Sequence, residues 1–320
     1  MRSYLFSLCA ICSTVLADGK KEEPIIPPWL TGPLLTPSAH TIPFGHANIE
    51  PYTFAKDNFG TYNPHWNGVS AKHNVYNVVM NGYTQVGLPA NFDCFLTPQW
   101  EWNHTHGASH WALMDMAFGF DYQIYKRGPH SPWPSVKLNV SFNAPIGKYE
   151  KLKPRLKETD AGGIGTWAPS VGLVFSRLVH IKGPIFFAPR WNIQYTIPTP
   201  VFVKELNVYG GGHGTRGTVY PGQSLTFLFG FEIPVTQNWA FAGDIQYVHQ
   251  NKTRFKGRKG MTDGVENVIG SPSSESLSLA PAIEYNWSPN YGVIAGAWFT
   301  VAGRNAGEFI NGVVAVNIYH

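Results

Sequence analysis

The chain has 320 residues and a formal net charge of +4, and 14% of its residues are charged while another 14% are aromatic. Soluble domains usually contain about 25% charged residues, so this composition argues against a soluble globular protein. The mean hydropathy is −0.15. Beyond the N-terminus no segment holds about 18 apolar residues in succession, which excludes transmembrane helices.

The N-terminal segment predicts export. Arg2 supplies a positive start, residues 5–16 are mostly apolar, and residues 15–17 (VLA) form a small-residue cleavage site. This is the layout of a secretory signal peptide, and its apolar run is too short to span a bilayer as a helix. We therefore predict that residues 1–17 are a signal peptide.

Residues 18–45 form a proline-rich lead segment that cannot belong to a central strand, because proline lacks the N–H that a sheet needs. Two interpretations remain open. The segment is either a disordered periplasmic linker or a stretch that folds back into the rest of the protein as a plug. Its prolines are Pro24, Pro27, Pro28, Pro33, Pro37 and Pro43.

From residue 134 onward apolar and polar residues alternate with the period of two that a β-strand produces. Segments 136–143, 225–233 and 277–287 each place their apolar residues on one face. The opposite face carries mostly Gly, Ala, Ser, Asn and single charges, as a confined lumen does. The pattern predicts an all-β fold, a transmembrane antiparallel up-and-down β-barrel formed by residues 46–320.

We predict about twelve strands, with ten or fourteen also open, at 46–55, 73–87, 91–103, 108–125, 134–145, 166–180, 184–197, 221–235, 238–251, 274–287, 290–303 and 309–319. Long segments are predicted at 56–72, 146–165, 198–220 and 252–273, and short turns at 88–90, 181–183, 236–237 and 288–289. Bacterial outer-membrane barrels pair short periplasmic turns with long external loops, so we predict that location.

Aromatic residues cluster near both predicted ends of the strands. Membrane–water boundaries favour amphipathic rings, so these clusters predict two belts at the lipid headgroups. The predicted interface aromatics are Trp239, Tyr285, Trp287 and Tyr291 beside the short turns, and Trp100, Trp102, Trp111 and Trp167 towards the long loops.

Three stretches resemble a known family: PLLTPSA at 33–39, GHANIEPY at 45–52, and the region from SLAPAIEY at 278–285 to AGRN at 302–305. The sequence is similar there to the outer-membrane transporter family labelled after the meta-cleavage pathway of phenol degradation. The resemblance covers most of the mature chain, and its motifs are structural rather than catalytic. It implies a channel for small solutes, including apolar or aromatic ones.

The predicted inward face carries most of the charges of the strands. One hypothesis is a narrow, weakly cation-favouring pore in which carboxylates set the field. The alternative is a network of salt bridges and hydrogen bonds that only fills the barrel. The predicted lumen-lining residues are Glu101, Asp115, Asp121, Lys137, Arg190, Gln194, Glu232, Asp244 and Glu284, with Glu50 and Asp93 on the same face.

Motifs for enzymatic chemistry are missing from the sequence. Outer-membrane phospholipases need a His-x-Ser arrangement, and neither this nor Gly-x-Ser-x-Gly occurs. His104, His106 and His110 are the nearest approach to a metal cluster, but no carboxylate completes it locally. Cys94 alone remains after signal cleavage, so no disulfide is expected. We predict no catalysis, metal or cofactor.

Two external loops are basic, and each either contacts lipopolysaccharide phosphates or is simply solvated. Their cations are Lys148, Lys151, Lys153, Arg155 and Lys157 in one loop, and Lys252, Arg254, Lys256, Arg258 and Lys259 in the other. Expected partners are outer-membrane lipid and lipopolysaccharide, the barrel-assembly machinery and a small-molecule solute, but not nucleic acid. The sequence indicates no oligomeric state. The predicted function is a porin-like channel, and the alternative is a structural or adhesin-like barrel with a closed lumen.

Overall fold

The computed structural model describes residues 27–128, 131–182 and 185–320. The predicted signal peptide and the first residues of the lead segment therefore lie outside the described residues. No helix in the described part of the chain is long and apolar enough to cross a membrane.

Twelve antiparallel strands form one closed barrel, and each pairs with its neighbour in the chain. The prediction of a twelve-stranded up-and-down barrel is thus confirmed. The strands are β1 Ala47–Tyr62, β2 Gly68–Gly87, β3 Phe92–Thr97 with Gln99–Thr105, β4 Ala108–Leu113 with Met116–Tyr125, β5 Ser135–Ala144, β6 Ser170–Ser176, β7 Ile185–Thr196, β8 Ser224–Pro234, β9 Trp239–Gln250, β10 Ser274–Ser288, β11 Tyr291–Arg304 and β12 Gly307–Tyr319.

The first and last strands close the barrel. Pairing between β1 and β12 runs from Asn48 opposite Tyr319 to Thr61 opposite Gly307. At the end of this seam, Ala47 of β1 and His320, which follows β12, exchange two backbone hydrogen bonds of 2.9 Å. Closure leaves no free edge around the ring, as a sheet that spans lipid requires.

The wall is apolar outside and small or polar inside. Outward side chains such as Ile193, Phe241 and Ile283 are 42–57% exposed on the isolated chain. Inward residues on the same strands are buried, among them Ala242 and Ala282. A barrel that leaves such a continuous apolar outer surface requires lipid around it, and transmembrane barrels of this kind lie in outer membranes. The protein is therefore a bacterial outer-membrane barrel.

The structure corrects the predicted loop at 56–72. Strand β1 continues to Tyr62 and β2 begins at Gly68, so that only residues 63–67 connect them. Lys56, Asp57 and Asn58 have weak strand propensity, but they pair with β2 on one side and β12 on the other. This double pairing satisfies the backbone and outweighs local preference. A bulge between Asn58 and Gly60 absorbs the irregularity.

Three long connections extend from one end of the barrel, at 145–169, 197–223 and 251–273. This is the external end, since outer-membrane barrels carry their long loops there. Parts of the last two connections pair as a three-stranded sheet, hereafter the loop sheet: Val201–Lys204, Arg216–Tyr220 and Arg254–Arg258. Val201, Val203 and Val219 form its buried face.

Candidate functional site

The lead segment, described from residue 27 to residue 45, lies inside the barrel and not beside it. Carboxylates on β9 and β10 hold its first half. Glu284 accepts hydrogen bonds from the N–H groups of Thr31 and Gly32, each at 3.2 Å. Asp244 accepts from the N–H groups of Leu35 at 3.1 Å and Thr36 at 3.0 Å.

The opposite wall holds the second half of the lead segment. Asp93 on β3 accepts the N–H of Ile42 at 2.9 Å. Gln123 on β4 accepts the N–H of Thr41 at 3.0 Å and donates to the carbonyl of Ala39 at 2.7 Å. The segment therefore crosses the lumen from β10 to β3 and is bound on both sides.

This use of carboxylates follows from the sequence of the lead segment. Its prolines prevent it from pairing as a strand, yet its remaining buried N–H groups need acceptors. Ionised carboxylates accept such bonds more strongly than neutral groups do. Leu34 adds an apolar contact, because it is buried against Ala242, Ala280, Ala282 and Val313.

Two glycines make room for the segment. A Cβ at Gly230 on β8 would lie 2.7 Å from Pro33 Cγ and 2.7 Å from Thr36 Cβ. Gly32 has a φ of +117°, and a Cβ there would lie 2.7 Å from Arg190 Nη1. Any larger residue at position 32 would be strained by its backbone and by this close approach.

Two buried ion pairs cross-link neighbouring strands inside the barrel. Arg190 Nη2 on β7 lies 2.7 Å from Glu232 Oε2 on β8. Lys137 Nζ on β5 lies 2.6 Å from Asp121 Oδ2 on β4, and Asn139 donates to the other oxygen of Asp121 at 2.6 Å. Each predicted lumen cation is thus matched by a carboxylate.

The connection 145–169 also enters the barrel, from the external end. Asp115 accepts the N–H groups of Gly147 at 2.9 Å and Ile164 at 2.8 Å. Asn103 on β3 donates to the carbonyls of Thr159 and Ala161, each at 3.1 Å. At the external end Asp115 therefore binds the backbone of an inserted segment, as Asp244 and Glu284 do for the lead segment.

A cavity of about 760 Å³ remains between the lead segment and the wall. One side is aromatic: the rings of Tyr52 and Phe54 stack with centroids 5.6 Å apart, and those of Tyr83 and Phe95 lie 5.7 Å apart. The other side is polar and is lined by Lys137, Asn139, Arg190, Asn192 and Gln194. The space suits a small solute with apolar and polar parts.

Polar groups on the aromatic side are partly engaged with one another. Glu50 accepts from Asn48 at 2.7 Å and from the Tyr52 hydroxyl at 2.9 Å. The side-chain oxygens of Asn48 and Asn81, and that of Asn192 on the polar side, are buried and have no hydrogen-bond partner within the described part of the protein. These oxygens are acceptors that a solute with N–H or O–H groups could use.

His40 of the lead segment faces this cavity near the start of β5. Its ring lies 3.1 Å from the hydroxyl of Ser135. The His40 side chain is exposed to the cavity, but the surrounding barrel keeps it partly desolvated. This desolvation, followed by the positive charges of Arg190, Lys126 and Lys137, lowers the pKa of His40 to about 4. The imidazole is therefore neutral at pH 7.

The predicted lumen residues fall into separate groups. Asp121, Lys137, Arg190 and Gln194 line the cavity. Asp115, Asp244 and Glu284 bind inserted chain, Glu232 pairs with Arg190, and Glu101 on the external half of β3 contacts Asn103 at 3.4 Å. Sequence reasoning missed Tyr52, Phe54, Tyr83, Phe95 and Asn192. Continuing the alternation from Glu50 would have placed Tyr52 and Phe54 inside.

The aromatic residues predicted beside the short turns are neighbours in space. Centroid distances are 4.7 Å between Trp239 and Tyr285, 6.3 Å between Tyr285 and Trp287, and 6.4 Å between Trp287 and Tyr291. They form a row of rings across β9, β10 and β11. Their contact with lipid headgroups stays a prediction.

Towards the external end the predicted aromatics are more scattered. Trp102 lies opposite Trp111 in the pairing of β3 with β4, and Trp100 and Trp111 are exposed. Trp167 contacts Phe118 with ring centroids 6.4 Å apart. The His104 ring stacks on Trp102 at 5.6 Å, and its Nδ1 lies 2.8 Å from the Ser109 hydroxyl.

The fold is similar to that of known outer-membrane barrels. The COG4313 outer membrane channel from Pseudomonas putida F1 matches with a TM-score of 0.67 and 9% identity, over 88% of this chain and 98% of that chain. The β-domain of the Bordetella autotransporter BrkA matches with a TM-score of 0.48 and 8% identity, over 85% and 98%. The CymD monoaromatic hydrocarbon channel gives 0.37 and 9%, over 87% and 88%.

These likenesses concern the fold, and the last two are too distant to bear on function. No known protein family matches the sequence, and no curated protein does. The fold and the lumen define the class of the protein: a closed twelve-stranded outer-membrane barrel with polypeptide inserted from both ends.

Proposed function

We propose that the protein is an outer-membrane channel that passes small solutes, including apolar or aromatic ones, through a narrow polar lumen. The cavity of about 760 Å³ inside the barrel carries this proposal, because it combines an aromatic side with a polar side. The resemblance to an outer-membrane transporter family supports it, as does the similarity in fold to a COG4313 outer membrane channel. The proposal requires no catalysis.

Passage of a solute requires a change at the lead segment. Residues 31–43 border the cavity directly, and the inserted part of connection 145–169 narrows the external end. The lead segment is joined to one barrel strand, β1, whereas connection 145–169 joins two strands, β5 and β6. Displacement of the lead segment is therefore the less costly way to widen the lumen.

A structural or adhesin-like barrel with a closed lumen is the second candidate. The observation that favours it is the inserted backbone at both ends, bound by Asp244 and Glu284 at one end and by Asp115 at the other. In that case the inward charges serve only to fill and cross-link the barrel.

Single-channel conductance in planar bilayers separates the two candidates. We would compare the wild-type protein with a variant that lacks residues 27–45, after showing that both have the heat-modifiable gel mobility of a folded barrel. The channel proposal expects small discrete steps from the wild type and steps several times larger from the deletion variant. Silence from both folded proteins would favour the closed barrel.

Solute preference is tested by swelling of proteoliposomes in a neutral monocyclic phenol and in a pentose of similar mass. Faster entry of the phenol, reduced by Tyr52→Ala or Phe95→Ala, is the expected result. Equal entry of both solutes would leave a channel without aromatic preference.

The remaining partners are also proposals. The terminal strand β12 has Val314, Val316 and Ile318 on its outward face and is followed by His320. An apolar alternation that ends near an aromatic residue, here Tyr319, is the kind of signal that barrel-assembly machinery reads. Lipopolysaccharide is the proposed partner of the external basic residues.

A further inference from the structure

The two basic loops differ in how the structure arranges their charges. In the loop sheet, Arg216 pairs with Lys204 on one side and Arg258 on the other. Because alternate residues of a strand share a face, Lys256 and Arg254 lie on the same face as Arg258. One face of the loop sheet thus carries five cations: Lys204, Arg216, Arg254, Lys256 and Arg258.

These cations are not neutralised by nearby carboxylates. In the described part of the chain none of the five lies within salt-bridge distance of an Asp or Glu. Nearby acidic side chains are otherwise engaged: Glu150 accepts the backbone N–H of Lys204 at 2.7 Å, Glu205 accepts the N–H of Gly214 at 3.0 Å, and Glu266 pairs with Lys259 at 2.9 Å. Like charges held on one face without counter-ions are costly, which indicates an anionic partner.

The opposite face of the loop sheet explains why the basic face points to solvent. Val201, Val203 and Val219 are buried against Tyr149, Tyr209 and Ile269. Their burial fixes the orientation of the sheet, so alternate side chains must project outward. Phe202 and Tyr220 on the basic face are accordingly 45% and 43% exposed.

A second cavity, of about 710 Å³, lies at the foot of the basic face. Tyr220, Gln223, Lys252, Arg254 and Ser273 are among its lining residues. The barrel strands β8, β9 and β10 end at Ser224, Gln250 and Ser274. The cavity therefore lies directly beyond the external rim of the barrel.

Outward side chains locate the membrane boundary at that rim. The outward Tyr195 of β7 donates from its hydroxyl to Gln223 at 3.1 Å. On β10 the apolar outward series ends at Leu277, and the next outward residue, Glu275, contacts His249 and Arg304. Since charges facing lipid are unfavourable, the hydrocarbon region ends between Leu277 and Glu275, and the cavity sits at headgroup level.

We propose that the basic face and the cavity at its foot bind the phosphate groups of lipopolysaccharide in the surrounding outer leaflet. An arginine guanidinium can donate two parallel hydrogen bonds to two oxygens of one phosphate. Arg254 belongs both to the basic face and to the lining of the cavity. Basic residues beside a membrane surface add to binding in proportion to their number. The site is separate from the lumen, so it does not depend on whether the channel conducts.

The test compares two variants that each lose three positive charges from an external loop. R254Q/K256Q/R258Q removes them from the loop sheet, and K151Q/K153Q/K157Q, the matched control, removes them from connection 145–169. Binding of purified lipopolysaccharide to the detergent-solubilised, folded proteins is measured at 0.15 M salt. Lipopolysaccharide stripped of its phosphates and inorganic phosphate alone are the comparison ligands.

We expect R254Q/K256Q/R258Q to bind lipopolysaccharide about a hundredfold more weakly than the wild type, and the control to change by less than about threefold. Removal of the lipid phosphates should weaken wild-type binding to the level of R254Q/K256Q/R258Q. Equal weakening by both variants, or unchanged binding without phosphates, would overturn the proposal. So would inorganic phosphate that competes at the same concentration as lipopolysaccharide, because the ligand would then be a free anion.

Gel mobility before and after boiling shows whether each variant is folded. If R254Q/K256Q/R258Q does not fold, the single variants R254Q and K256Q replace it. Each should weaken binding about fivefold. Wild-type affinity in both folded single variants would contradict the site.

Discussion

The two ends of the barrel bind inserted polypeptide with the same chemistry but with different topology. At the periplasmic side Asp93, Asp244 and Glu284 accept backbone N–H groups of the lead segment. At the external side Asp115 does the same for connection 145–169. The lead segment is joined to a single barrel strand, β1, whereas the connection joins β5 to β6. We therefore expect similar bonds to hold an element that can be displaced at one end and a lasting narrowing at the other.

The largest effect is expected from D244A/E284A. Buried hydrogen bonds contribute about 0.5–1.5 kcal/mol each, and the two carboxylates accept four from the backbone of the lead segment, so loss of both should weaken its docking by about 2–6 kcal/mol. The segment should become sensitive to protease, and conductance should rise towards that of the variant lacking residues 27–45. Asp115→Ala is the counterpart at the other end and should leave protease sensitivity of the lead segment unchanged. A lead segment that stays protected from protease in D244A/E284A would show that these two carboxylates do not hold it in place.

Arg190→Ala should cost about 3–5 kcal/mol in the free energy of unfolding, because it leaves Glu232 buried without its partner. Urea unfolding followed by tryptophan fluorescence measures the loss. R190A/E232Q should recover much of it, since the unpaired charge is then removed. Altered ion selectivity in a stable Arg190→Ala barrel would instead support a role in the pore.

Gly230→Ala should disturb only the lead segment. A Cβ there would meet Pro33 and Thr36 at 2.7 Å, and overpacking of this kind costs about 1–3 kcal/mol. The expected result is a more protease-sensitive lead segment in an otherwise stable barrel. Gly312→Ala is the control, because its Cβ would meet only the carbonyl of Ala55 at 4.0 Å. Identical proteolysis of the two variants would show that the segment does not pack tightly against β8.

The smallest effect concerns pH. The pKa of His40 is lowered from 6.5 to about 4 in the docked segment, so the undocked segment takes up a proton more readily. Docking is therefore fully favoured above pH 6.5 and weakens as the pH falls from 6.5 towards 4. Channel opening should increase more between pH 7 and pH 5 in the wild type than in His40→Asn. The same increase in both proteins would exclude His40 as the cause.

The wall of this barrel could be predicted from the sequence because its determinants are local. Alternation in segments such as 225–233 reflects lipid on one side and a confined lumen on the other, and the strand positions follow from it. The predicted β1–β2 hairpin is too short. Its polar residues 56–58 form strand because they pair with β12, and a contact so remote in sequence leaves no local signal.

The inserted elements could not be predicted in the same way. The inward face of Asp244 and Glu284 was readable from alternation, but their partners Thr36 and Thr31 lie 208 and 253 residues away in the chain. The irregular backbone of the lead segment has no periodicity to indicate those contacts. The loop sheet was missed for a related reason, because short strands from two separate connections form it.

The bonds between Ala47 and His320 have a consequence for assembly. This seam joins β1 to β12, so the ring cannot seal until β12 has been exported. The lead segment precedes that first strand and must either be in place when the seam forms or thread in afterwards through the periplasmic opening. Pairing of β12 with β1 is thus the step that closes the ring, and a chain truncated within β12 would remain an open, pairing-competent sheet.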